Sequence, residues 1–418
     1  MGKISVLLRI VIVTFLAGLT RAQDDPCPNS TYISNLSRLK SYVYCSYDRW
    51  IRPVRQNNEA VPVKLWFVLK RIDFDDKKDI LKVFNIFVMV WTDEHMKWDP
   101  SKFGDIKDFR VSSYSVWTPD IGVYTSADQT AFNPYLRPSV CRVSNTGEVL
   151  CAPPVTHTTT CAADLRRWPY DTHKCGLVLG SWSHSGEELN LSLREPSIYL
   201  GQYNMNREWH LVSMRAYKEV ETYGSNNTYP SVTYEFVLQR HSGSYAAIAV
   251  MPAVVLMLLT LLTYWMKADH ADRLILSLLS LFSHFVFLQY LGNMLPSNGD
   301  QVPLLMTFYR DSMLLATTAL MATLVMRGLG RNSLAAPVWV SDLSSRVLQN
   351  RFGQVLVFHS LDPKAAAAVS EASGGEGAGL VEGAAATSGW NTFTTLLNLL
   401  LFILTLLTYF ILLVGFIP

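Results

Sequence analysis

Hydrophobic and polar positions change their period near residue 240, and that change divides the chain. From about 60 to 240 the apolar residues come in short runs separated by turn signals. ILKVFNIFVMVW (80–91) is rich in β-branched and aromatic residues, and VTYEFVLQR (232–240) alternates apolar with polar side chains. CRVSNTGEVLC (141–151) reads as a hairpin with Asn-Thr-Gly at its tip and a cysteine on each arm. Such strands predict an immunoglobulin-like β-sandwich. Residues 27–48 read instead as helical, with a cysteine near each end.

Beyond 240 the apolar runs lengthen. Four segments, about 245–266, 274–295, 304–327 and 393–417, could each cross a ~30 Å hydrocarbon core, which takes ~20 helical residues. The first and fourth are almost purely apolar. The second stands apart, because it carries Ser277, Ser280, Ser283, His284, Gln289 and Tyr290. Between the third and fourth, PVWVSDLSSRVLQNRFGQVL (337–356) spaces Val340, Leu343, Val347 and Leu348 like an amphipathic interfacial helix. Residues 365–389 are low-complexity Ala/Gly/Ser/Glu and read as a flexible linker. No internal repeat is present.

The expected fold class is therefore mixed β and α, a β-sandwich followed by a transmembrane four-helix bundle. The expected domains are a signal peptide (1–22), the sandwich (23–243), three membrane helices (244–330), a cytoplasmic loop with a short amphipathic helix and linker (331–391), and a fourth membrane helix (392–418).

Compartment follows from the start of the chain and from the cysteines. Lys3, an apolar stretch and Thr20-Arg21-Ala22 have the layout of a secretory signal cut after Ala22. All six cysteines precede the first apolar span, which fits three disulfides in an oxidising compartment. Sequence order favours Cys27–Cys45, Cys141–Cys151 and Cys161–Cys175, although six cysteines formally allow fifteen pairings. Glycosylation triplets at Asn29, Asn35, Asn190 and Asn226 cluster in the same region. An exported N-terminus and four spans put both termini outside. The loop 267–273 and residues 328–392 are then cytoplasmic, and their Lys267, Arg273, Arg327, Arg331, Arg346 and Arg351 agree with the positive-inside bias.

A net charge of +2 gives no reason to expect a nucleic-acid partner. No metal-ligand spacing or catalytic motif appears, so a membrane-bound enzyme has little support and no cofactor is implied.

Several separated motifs now fall into order. CAADLRRWPYDTHKC closes thirteen residues between Cys161 and Cys175 and includes Asp164, Pro169 and Asp171. VWTPDIGVY contains Trp117, Pro119 and Asp120; GSWS occupies 180–183; Pro252 sits inside the first apolar span; LPSNGDQVPLL (295–305) joins the second and third spans. Together these resemble the pentameric Cys-loop ligand-gated ion channels, most closely the nicotinic acetylcholine receptor branch. The resemblance covers about 60–356 and the last helix. It implies a homopentamer, or a pentamer with related subunits, in the plasma membrane. It also implies that the ring rests on the loop between the second and third membrane helices and couples ligand binding to the pore.

The resemblance places Asp272, Ile275, Leu279, Phe282, Val286, Gln289 and Asn293 along the pore. Their spacing of three and four residues is a stripe down one helical face. Asp272 at the cytoplasmic mouth implies cation selectivity, with monovalent cations in transit, and the neighbouring Arg273 is expected to point away from the axis. Phe282 stands where the family typically has leucine, and Ile275 where a small polar residue is usual. Four successive apolar rings then predict a resting pore that excludes water. His284 falls off the stripe and reads as a packed, neutral histidine. Arg310 and Asp311 read as a structural pair near the outer end of the third span.

For a small-molecule agonist, the resemblance implies an aromatic box of Tyr124, Trp182, Tyr223 and Tyr229 on a principal face, holding a cation by cation–π attraction. Two departures stand out. TYGSNNTYP (222–230) lacks the adjacent cysteine pair typical of acetylcholine-binding subunits, and the aromatic expected on the facing strand falls at Ile86, with Phe84 and Phe87 beside it. Arg142 aligns with the complementary face and would disfavour a nearby cation. A zwitterion, an acid or a bulkier ligand remains open there. The alternative reading is a ligand-binding subunit that does not conduct alone and acts as a heteromer partner.

Overall fold

The computed structural model describes residues 33–127, 139–223, 227–296, 302–331, 336–349 and 381–416. Helix α1 (Asn35–Tyr44) opens on Ser34, whose side chain accepts a hydrogen bond from the Ser37 N–H. Strand β1 (Val61–Asp75) buries Val61, Val63, Leu65, Phe67 and Leu69 and turns the residues between them outward. It pairs antiparallel with β2 (Ile80–Thr92), and a register shift between Leu69 and Arg71 hands the inward positions to Ile72 and Phe74.

The remaining strands are β3 (Asp108–Ser112), β4 (Ile121–Val123), β5 (Val140–Ser144), β6 (Glu148–Cys151), β7 (Pro154–Thr160), β8 (Thr172–Ser181), β9 (Leu189–Tyr199), β10 (Trp209–Tyr223) and β11 (Asn227–Arg240). They form a seven-stranded sheet, β3-β5-β6-β2-β1-β9 with β7 also on β2, and a four-stranded sheet, β10-β11-β8-β4. At the tip of the β5–β6 hairpin Gly147 has φ +83°, a conformation that L side chains rarely adopt, and its N–H bonds the Ser144 carbonyl. Cys141 and Cys151 are bonded across this hairpin, and Cys161 is bonded to Cys175. Cys45 is disulfide-bonded too, while Cys27, Asn29, Asn226 and the leader lie outside the described residues. Asn35 and Asn190 are exposed.

Aromatic side chains fill the space between the sheets. Phe67 of β1 stacks on Tyr234 of β11 with ring centroids 3.9 Å apart, and Phe74 meets Trp209 edge to face. His157 of β7 lies in the same cluster, stacked on Phe67 and edge-on to Phe87.

The chain divides into two compact units, residues up to 162 with 173–239, and residues 163–172 with 240 onward. Among the described residues the second unit holds four helices long and apolar enough to cross a membrane: α2 (Gly243–Thr263), α3 (Ala271–Met294), α4 (Leu304–Gly330) and a final helix whose apolar part is Trp390–Gly415. In α2 a π-helical turn at Ala246–Val250 ends two residues before Pro252, whose ring and missing N–H disturb the regular ladder. The amphipathic stretch forms α5 (Val338–Gln349). Helix α6 runs from Val381 to Phe416 and so starts inside the stretch read as a linker. Alanines in VEGAAATS give that segment the helix propensity that a low-complexity reading overlooks.

Burial drives the His157 pKa down to about 4, and its Nε2 has no hydrogen-bond partner. An unfolded histidine titrates near 6.5, so between those values the unfolded chain binds the extra proton. Folding stability should be full above ~6.5 and fall by up to about 3 kcal/mol as pH drops to ~4. Thermal melts of the purified protein should show this slope, and His157→Phe should flatten it; an unchanged slope in the variant would refute the assignment.

Candidate functional site

Two glycines make the floor of an aromatic cluster. In the β4–β8 pair Gly122 lies opposite Gly180. A Cβ on Gly122 would collide with the Trp182 indole, and one on Gly180 with the Tyr124 ring. The two rings therefore lie close against bare backbone, edge to face, 5.0 Å apart. The Tyr124 hydroxyl donates to the Ser181 carbonyl. Beside them Tyr223, at the end of β10, meets Tyr229 of β11 edge to face at 5.8 Å, and its hydroxyl bonds the Glu221 carboxylate. Tyr124 has its pKa pushed up to about 12, by burial first and then by Asp120, Tyr223, Glu221 and Tyr229. All four expected aromatics thus belong to one neighbourhood on the smaller sheet. Trp182 and Tyr223 remain exposed, so electron-rich rings and one carboxylate are available to a ligand, a combination that suits a cation.

Asp120 fixes the loop that carries Trp182. One of its carboxylate oxygens accepts from the Trp182 N–H at 3.2 Å, the Ser183 N–H at 2.8 Å and the Ser183 hydroxyl at 2.7 Å. The other accepts from the Ser181 hydroxyl and faces His184 Nδ1 at 3.0 Å. Burial alone would raise this carboxyl's pKa, but the bonds from His184, Ser181 and Ser183 outweigh it and hold the group well below the usual range. Asp120 is thus an ionised anchor in a nearly closed site.

Ile86 and Arg142 lie elsewhere, on the larger sheet. Ile86 is half-buried and sits between Val68 and Pro154 in the register. Arg142 is exposed and lies between Arg110 and Leu150. Phe84 shares the half-buried side with Ile86, but Phe87, expected beside it, points into the core against Phe67 and His157. Strand alternation dictates this, since 86 and 87 face opposite sides. One chain does not bring Ile86 and Arg142 to the aromatic cluster.

In the second unit α3 has two contrasting faces. Asp272, Ile275, Leu279, Phe282, Val286, Gln289 and Asn293 are all exposed. Arg273, Ser277, Ser280, His284 and Leu291 are buried against the other helices. Arg273 donates to Thr323 Oγ1 at 3.0 Å and to the Met266 carbonyl at 2.9 Å, so its charge points inward, away from the exposed stripe. Arg310 pairs with Asp311 at 2.7 Å.

Residues 163–172, the tip of the Cys161–Cys175 ring, group with this second unit. Leu165 and Trp168 pack in a cluster with Ala249, Leu291, Leu295 and Leu305, and the Leu304 N–H bonds the Arg166 carbonyl at 2.9 Å. The tip thus meets the ends of α3 and α4; residues 297–301 between them lie outside the described residues. Asp171 and Arg240 form a two-pronged ion pair, Nε to Oδ1 at 2.9 Å and Nη2 to Oδ2 at 3.0 Å, with both side chains buried.

One polar network escaped the sequence reading. The Tyr47 hydroxyl donates to Asp93 at 2.7 Å and accepts from the Trp117 N–H at 2.8 Å. Partners 46 and 70 positions apart leave no local signal.

A family model for the neurotransmitter-gated ion-channel ligand binding domain matches residues 36–242. Neuronal acetylcholine receptor subunit alpha-10 of Rattus norvegicus is 30% identical over 302 residues, covering 71% of this chain and 67% of that protein. Subunit alpha-5 of Homo sapiens is 29% identical over 307 residues, covering 73% and 64%, and subunit beta-3 of Homo sapiens is 30% identical over 292 residues, covering 69% and 63%. The matched region is about two thirds of each relative's length.

Asp120→Asn replaces an acceptor oxygen with a donor amide opposite several N–H and O–H donors. The Trp182 and Ser183 amides should then exchange hydrogen about tenfold faster, roughly the worth of one or two lost bonds. Exchange mass spectrometry on residues 181–184 reads this directly, and unchanged protection would refute the anchoring role.

Proposed function

Because the chain belongs to the pentameric Cys-loop receptors, in their nicotinic acetylcholine receptor branch, we propose that it forms a cation-selective channel opened by an extracellular ligand. Proteins of this family are ligand-gated receptors of the plasma membrane, not enzymes. Five copies, or this chain with related subunits, would set α3 around a common axis. The sandwich and both termini would lie outside, with residues 331–391 inside.

The observation that carries this reading is the two-faced α3. Its seven stripe residues stay exposed on a single chain although they include Ile275, Leu279, Phe282 and Val286. Five such stripes would build stacked rings, Asp272 at the inner mouth attracting cations and four apolar levels above it expelling water at rest. Arg273, buried against Thr323, adds no positive charge to the stripe itself.

The agonist would sit where the aromatic cluster of one copy meets Ile86 and Arg142 of the next. The four rings and Glu221 favour a cationic group, up to ~2 kcal/mol for a desolvated cation–π contact. A second reading rests on the complementary side. Ile86 replaces the expected aromatic and Phe87 is committed to the core, so this chain could serve as a partner that supplies the principal face and does not conduct alone.

Recording from cells that express the chain alone, with and without a related subunit, separates the two readings. Phe282→Ser should raise the resting leak several-fold by wetting the apolar level, and Asp272→Lys should shift the reversal potential toward anion permeation. An unchanged leak in the Phe282→Ser channel, with surface expression confirmed, would end the pore reading.

A further inference from the structure

Inside the helical unit a chain of hydrogen bonds joins the lipid-facing helix to α3. His284 is fully buried, and its Nδ1 lies 2.8 Å from the Ser280 carbonyl oxygen. A carbonyl can only accept, so Nδ1 carries the proton, and in neutral imidazole Nε2 is left as an acceptor. Nε2 lies 2.7 Å from Ser312 Oγ of α4, whose hydroxyl must therefore donate to it. With its single proton used, Ser312 Oγ accepts from the Tyr409 hydroxyl of α6, 2.8 Å away. With the imidazole neutral, the direction runs from Tyr409 to Ser312 to His284 to the α3 backbone, and Tyr409 is also hydrogen-bonded to Thr260 of α2. Thr260 of α2 closes the set at 3.0 Å from Ser280 Oγ, while donating its own proton to the Leu256 carbonyl.

All five side chains are buried, so in hydrocarbon none can replace a lost partner with water. Around Tyr409 on α6, Leu404, Leu406, Leu407, Phe410 and Ile411 are exposed and apolar. One end of the bond chain therefore belongs to the helix most open to lipid, and the other lies on the opposite side of α3 from Phe282 and Val286.

We infer that Tyr409 and Ser312 are positioning residues that hold the rotational setting of α3, so that the outer helix fixes which side chains of α3 face the channel axis. His284 is bonded to Ser280 of its own helix and to Ser312 of α4, and Thr260 of α2 and Tyr409 of α6 join the network through those two residues. Arg310 and Asp311 pair with each other one turn or less from Ser312, and among the described residues the imidazole's hydrogen-bond partners include no carboxylate. His284 thus acts as a neutral bolt. The inference rests on reading α3 as the pore helix.

The test is a ratio of labelling rates in intact cells. All cysteines among the described residues are disulfide-bonded, so an introduced cysteine reports alone there. Phe282→Cys on the stripe and Leu281→Cys beside it are each treated with a membrane-impermeant thiol reagent, with and without Tyr409→Phe, Ser312→Ala, or both. Each single change should shift the 282-to-281 ratio about fivefold, the worth of one hydrogen bond, and the double change should add nothing further. Thr408→Val, which removes a hydroxyl bonded only to its own helix at Leu404, should leave the ratio unchanged. An unmoved ratio, additive single effects, or an equal shift in Thr408→Val would overturn the inference. Faster labelling at 281 than at 282 in the otherwise native chain would instead remove the pore reading, and the effect of Tyr409→Phe on the ratio would still be measured.

Discussion

A carboxylate and a guanidinium sealed from water must find each other, and the Asp171–Arg240 pair is where the chain meets that demand. Breaking one buried partner of such a pair typically costs about 3–5 kcal/mol, so the pair fixes its two chain segments firmly. Asp171 stands just before β8, and Arg240 is the last residue of β11. These strands are hydrogen-bonded neighbours in the smaller sheet. At their other ends they carry aromatics of the proposed ligand site, Trp182 just past β8 and Tyr229 near the start of β11. Each strand thus has an aromatic of the cluster at one end and half of the ion pair at the other.

Within the helical unit the solvent imposes the arrangement. Hydrocarbon offers no hydrogen bonds, so Ser280, His284 and Arg273 turn inward and find partners on neighbouring helices, while Ser277 bonds the Arg273 carbonyl of its own helix. An α-helix has only one opposite face. Once its polar residues are committed inward, the stripe through Ile275, Leu279, Phe282 and Val286 is what remains to face outward. The same polar contacts that stabilise the bundle therefore select the apolar lining of the proposed conduit.

Strand periodicity and apolar length were legible because they depend on neighbours two to four residues away. The alternation in β1 and β2, the hairpin closed by Cys141 and Cys151, and the four apolar helices all follow from such short-range patterns. The site was legible only in part. The four aromatics were named through a resemblance, but nothing local says that Gly122 and Gly180 lie opposite each other and let Trp182 and Tyr124 close down on the backbone. Phe87 shows the converse failure. Its neighbourhood with Ile86 in sequence suggested a shared surface, whereas a one-residue step along a strand reverses the side-chain direction. The start of α6 at Val381 was hidden by composition, since Ala-rich sequence reads as linker and as helix alike.

The division of the proposed ligand residues between two sheets has a consequence for assembly. A β-sandwich turns the outer surfaces of its sheets away from each other. Tyr124, Trp182, Tyr223 and Tyr229 belong to the smaller sheet, while Ile86 and Arg142 belong to the larger, so no single copy can close both sets around one ligand. Contact between unlike surfaces of two copies is head-to-tail, and repeated around a closed ring it gives every copy one aromatic half and one Ile86–Arg142 half. On the proposed function, ligand enclosure and assembly would be two results of a single symmetry operation, so a change at Ile86 or Arg142 would bear on assembly as directly as on ligand choice.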